Sequence, residues 1–132
     1  MEQFERIIIG GKSFPIKIDL NVLEKIQNDF ESINEFERKI LGLKVVTDED
    51  GKVVFKDDDK PMMIQVEPSI TAIKAVLPAM INEGLAIEAE EQNRSWEPVS
   101  DRFVFENCKI PFDMLAEIIH KEFLKCFETK KG

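Results

Sequence analysis

Pro68-Ser69-Ile70-Thr71-Ala72-Ile73-Lys74-Ala75-Val76-Leu77-Pro78-Ala79-Met80-Ile81-Asn82-Glu83-Gly84-Leu85 is the stretch on which the fold turns. Ser69 stands where a helix cap belongs, with a hydroxyl able to accept from the first unpaired amides. Apolar residues then fall at Ile70, Ile73, Leu77, Met80, Ile81 and Leu85, the spacing of one helical face. Pro78 sits inside that stripe and removes a backbone hydrogen bond, so it either kinks the helix or divides it in two. The longest apolar run, 75–81, is too short to span a bilayer.

Downstream, the pattern fades after 88–93, and Arg102-Phe103-Val104-Phe105 reads as a brief strand or part of an ordered loop. Pro111 opens a last helix at its favoured first position, with Phe112, Leu115, Ile119, Phe123, Cys126 and Phe127 as its apolar face. Upstream, Asn21 with Glu24 and Ser32 with Glu35 have the spacing of helix-start capping pairs. Leu23, Ile26 and Phe30 share a face of the first short helix; Ile33, Phe36 and Ile40 share one on the second, which Gly42 ends. Residues 4–9 and 14–18 flank Gly10-Gly11-Lys12 as an amino-terminal hairpin, Pro15 suiting an edge.

The segment 43–66 changes character. Leu43-Lys44-Val45-Val46 and Lys52-Val53-Val54-Phe55 flank a turn at Asp48-Glu49-Asp50-Gly51, which predicts a second, inserted hairpin. Asp57-Asp58-Asp59-Lys60 reads as a solvated loop before a strand at 62–66, and no internal repeat is evident. The expected fold is therefore α+β: an amino-terminal hairpin, an inserted hairpin, and a bundle of about four helices. One domain spans 1–132, with 128–132 a flexible tail.

Acidic residues outnumber basic ones 26 to 18, a net charge of −8, which repels nucleic acid and anionic membranes alike. No secretory signal precedes the fold, and the two cysteines, Cys108 and Cys126, lack paired-ligand spacing, so a reducing cytoplasm is expected. Catalytic, cofactor and metal sites are not predicted. His120 is the sole histidine, and nothing around Cys108 resembles a nucleophile motif. Asp48, Asp50 and Gly51 resemble a calcium loop, but its first ligand position falls on Val46 and its twelfth on Asp57. Gly10-Gly11-Lys12-Ser13 fails as a phosphate loop because Phe4 occupies the place of its first glycine.

Taken in order, Phe14-Pro15-Ile16-Lys17-Ile18-Asp19-Leu20-Asn21 with Leu23-Glu24-Lys25-Ile26, the 68–84 helix, and Leu115-Ala116-Glu117-Ile118-Ile119 resemble the tail assembly chaperones of siphophages and prophages of Gram-positive bacteria. The resemblance covers roughly 4–42 and 68–127; residues 43–66 and 94–109 depart from it. It implies a protein that binds the tape-measure protein, keeps it soluble, helps recruit tail-tube subunits, and leaves before the virion is complete. Many members of that family are also made in a longer form by ribosomal frameshifting, to which an adenine-rich codon run at Lys130-Lys131 would be suited, with an ordinary solvated tail as the competing reading. A holdase needs an apolar groove. Ile70, Ile73, Leu77 and Met80 opposite Leu115, Ile119 and Phe123 are the candidate lining, with a plain hydrophobic core as the competing reading. Met62, Met63 and Met80 would be adaptable contacts wherever they are exposed. The inserted hairpin offers an edge to a second copy of the chain. Two other functions stay open: a tail or head–tail connector subunit of the virion, and an unrelated cytosolic enzyme or regulatory module.

Overall fold

β1 (Glu5–Ile9) and β2 (Lys12–Ile16) pair antiparallel in the computed structural model, which describes residues 3–57 and 59–128. Gly10 and Gly11, both at positive φ, form the two-residue turn between them. Ile7, Ile9, Phe14 and Ile16 face the interior, while Ile8 is left outside by the alternation of the strand.

α1 (Leu20–Phe30) starts one residue ahead of the predicted cap. Asp19, not Asn21, is the capping residue; its carboxylate accepts from the amides of Asn21 and Val22 at 3.1 and 3.3 Å. The Asn21 side chain instead donates to Glu83 at 2.7 Å, tying α1 to the central helix. α2 (Ile33–Leu41) is capped by Ser32 as predicted, and Gly42 ends it in the left-handed conformation.

α3 is the centre of the molecule. With the strands β3 (Leu43–Val45), β4 (Phe55–Asp57), β5 (Lys60–Pro61) and β6 (Met63–Gln65) between α2 and it, α3 runs unbroken from Ile70 to Glu91 and carries Pro78 within it. The predicted Ser69 cap forms, accepting from Ala72 N at 3.1 Å. α3 packs against β2, α1, α2, α4 (Asp101–Asn107) and α5 (Phe112–Lys125). Its 22 residues are long and apolar enough to cross a membrane by length and composition, which corrects the expectation drawn from the short apolar run. Here Ile73, Val76, Leu77, Met80 and Ile81 are buried among neighbours, so the apolarity serves a core.

β2 lies against α3 backbone to backbone. Lys17 N donates to Met80 O at 3.1 Å, and one turn on, a Cβ at Gly84 would stand 2.5 Å from Pro15 O. Glycine at 84 is what permits the approach.

Residues 102–105 are helical, not a strand or loop. α4 is capped by Ser100, whose hydroxyl accepts from Phe103 N at 3.1 Å, and it buries Val104. Phe103 meets Phe14 edge-on at 6.2 Å, and Gly10 N donates to Asn107 O at 3.3 Å, so α4 packs along the turn end of the first hairpin. Five helices are thus present among the described residues. In α5, Pro111 occupies the cap position and the helix begins at Phe112. Leu115, Ile119 and Phe123 are buried, but Phe112 and Phe127 are exposed, so the predicted apolar face narrows at both ends. Most of the predicted tail, with Lys130 and Lys131, lies outside the described residues.

Candidate partner-binding surface

The groove expected between α3 and α5 is filled. Ile73, Leu77, Met80, Leu115, Ile119 and Phe123 are all buried in the hydrophobic core, and Ile70 alone of the predicted lining stays exposed, at 56%. Their stripes face each other, as the pattern predicts, but they meet as packed layers with no room for a client. Met80 is buried with them, Met62 is half-buried, and Met63 is exposed.

Exposed apolar residues are spread over several elements, Leu20, Ile8 and the ends of α5 among them, and one group lies in the segment between α2 and α3. No residue between Ile40 and Ala72 belongs to the core, yet Val53 (42%), Phe55 (57%), Met63, Ile64 (50%) and Val66 are exposed there. This segment is not one hairpin. β3 takes β6 as its partner, in the register Leu43↔Gln65, Lys44↔Ile64, Val45↔Met63. The predicted turn at 48–51 does form: Thr47 bridges to Val53, and the Asp48 carboxylate accepts from Asp50 N and Lys52 N, each at 2.9 Å. The expected loop at 57–60 is part of a further antiparallel pair, β4 with β5, in which Phe55 stands opposite Pro61.

Three antiparallel arms therefore radiate from one point. At that point Val54 N donates to Val46 O (3.0 Å), Met62 N to Val54 O (2.8 Å), and Val46 N to Met62 O (2.9 Å), a closed ring of backbone hydrogen bonds. The hub residues 46, 54 and 62 are evenly spaced along the chain and half-buried. The even spacing exposes a repeat that simple inspection for repeats misses. Val46-Thr47-Asp48-Glu49-Asp50-Gly51-Lys52-Val53 aligns with Val54-Phe55-Lys56-Asp57-Asp58-Asp59-Lys60-Pro61, and the paired positions Thr47↔Val53 and Phe55↔Pro61 correspond.

A short neck fixes the arms to the body. Val66 N donates to Gly42 O at 2.7 Å, and the Gln65 amide donates to the carbonyls of Leu41 and Gly42 at 3.1 and 3.0 Å. A Cβ at Gly42 would lie 2.4 Å from Val66 O, and its φ of 72° already demands glycine. The β3–β6 and β4–β5 arms are two-stranded among the described residues, and the 46–53 arm is held by the single Thr47–Val53 bridge, so the outer backbone edges of the two sheets are available to an added strand.

Several titratable groups outside the arms tie elements of the body together. His120 Nε2 lies 2.9 Å from a Glu37 carboxylate oxygen, linking α5 to α2. The Cys126 thiol donates to Ile18 O at 3.0 Å, and burial pushes its pKa up, which makes it a poor nucleophile. A recess of about 290 Å³ beside it is lined by Lys17, Asp19, Leu20, Leu23, Glu122 and Lys125, where Glu122 is paired with Lys125 at 2.7 Å. No group of three or more His, Cys, Asp or Glu side chains suited to a metal ion occurs among the described residues. No protein-family profile, curated protein or solved structure matches the chain.

Proposed function

We propose that this chain is an assembly chaperone of the phage-tail kind. In this reading it binds the tape-measure protein in the bacterial cytoplasm, keeps it soluble, helps bring tail-tube subunits to it, and works by binding with no catalytic step.

The observation that carries the reading is a core that closes without residues 43–66, while that segment holds Val53, Phe55, Ile64 and Val66 in water. Exposed apolar side chains that serve no interior are where a protein partner can gain contact area when it covers them together. Fully burying an exposed apolar side chain contributes about 1.5–3 kcal/mol and covering these half-exposed ones about half of that, so several together are enough for reversible holding of a client. The order of elements supports the family reading as well: hairpin, two short helices, long central helix, final helix. A net charge of −8 keeps chaperone and loaded complex apart from their own copies.

The test is a tagged pull-down from the native host after prophage induction, with partners read by mass spectrometry. One very long, helix-rich protein is expected as the main partner. Failure to recover any such protein, or recovery of the chain as a component of finished particles, overturns the reading; the second result makes it a virion subunit.

A further inference from the structure

The two arms built from residues 46–61 concentrate charge as well as apolar surface. The sequence 46–61 carries six acidic residues, at 48–50 and 57–59, against lysines at 52, 56 and 60. A net −3 out of −8 therefore sits in this small part of the chain. Val53 and Phe55 stand between the two acidic stretches, on either side of the hub residue Val54. A surface that is both apolar and anionic discriminates against anionic and uncharged sequences and attracts cationic ones.

Resting on the client-holding reading above, we propose that the 46–61 arms dock a cationic client segment, one in which lysine or arginine alternates with apolar side chains. The apolar side chains cover Val53 and Phe55, and the cations meet the acidic tips. Adding an extended strand to an open arm edge would satisfy the backbone of both chains, and alternate side chains of such a strand face the same way.

Two synthetic peptides test this, one alternating valine with lysine and one alternating valine with glutamate, titrated by fluorescence anisotropy against the full chain. The lysine peptide is expected to bind and the glutamate peptide not. The double variant Val53→Ser/Phe55→Ser, altered only at exposed positions and checked for native circular dichroism, is expected to bind the lysine peptide about tenfold more weakly. Asp48 caps its own turn, so the charge test uses Glu49→Gln/Asp50→Asn, which is expected to weaken binding and flatten its salt dependence. Equal binding of both peptides, or undiminished binding by the serine variant, overturns the proposal. So does no binding of the lysine peptide. These outcomes are separable from the pull-down: a long partner recovered equally by wild type and serine variant leaves the chaperone standing and removes the arms as its client site.

Discussion

Gly84 and Glu83 are neighbours on α3 with opposite problems. At Gly84, alanine would gain about 1 kcal/mol of helix propensity, but its Cβ would stand 2.5 Å from Pro15 O, a backbone atom unable to swing aside. Forcing that separation costs about 1–3 kcal/mol or more, so Gly84→Ala is expected to lower the thermal midpoint, which a calorimetric scan reads directly. Glu83 shares hydrogen-bonding space with Asp19, and this, followed by burial, raises its pKa above the usual carboxylate range despite the opposing hydrogen bond from Asn21. A carboxyl raised in the folded state favours the fold when protonated; that advantage is lost as pH rises through the folded pKa. At pH 7 the carboxylate therefore burdens the fold. Glu83→Gln keeps an acceptor for Asn21 and gives Asp19 a donor, so it should stabilise the protein at neutral pH. Urea midpoints of variant and wild type should converge as pH falls through the raised carboxyl pKa; a gap that stays constant with pH would refute the assignment. Neither residue was legible as special in the sequence, because the partner of each, Pro15 or Asp19, lies on a distant element.

The elements that could be read were those whose own residues decide them. Ser69 and the stripe from Ile70 to Leu85 fix α3, and Ser32 with Gly42 fixes α2, because caps and periodicity act within one turn or one face. α4 could not be read: seven residues are too few for a period, and Arg102-Phe103-Val104-Phe105 has strand-forming character. What makes it helical is the Ser100 cap together with burial of Val104 and the contact of Phe103 with Phe14. The candidate groove failed for a related reason. A periodic apolar stripe marks a buried face without saying whether another element of the chain covers it, and α5 covers α3. The arms were half legible: the turn at Asp48–Gly51 announces itself, whereas the pairing of β3 with β6 depends on contacts across the whole insertion. Their geometry makes them removable. Val45 pairs with Met63, and Val46 N already reaches Met62 O, so joining Val46 to Met62 through Asn-Gly restores a plain hairpin in which Met62 N returns to Val46 O. Because no core residue is lost, this shortened chain should keep its stability to within about 1 kcal/mol. Guanidinium unfolding checks it, and a collapse of the cooperative transition would mean that the arms support the body.

At the scale of the whole molecule, a body with a closed core presents an acidic appendage that contributes no residue to that core. In the proposed reading, that division leaves the appendage to the client while the hairpin, α1, α2, α3 and α5 keep the fold. The most direct measurement is the pull-down after prophage induction, run in parallel with the full chain and the shortened one. The account predicts one very long, helix-rich protein recovered with the full chain, and its loss with the shortened chain although the latter is folded and equally abundant. Recovery of no long partner by the full chain would contradict the chaperone reading, and equal recovery by both would contradict the role given to the arms.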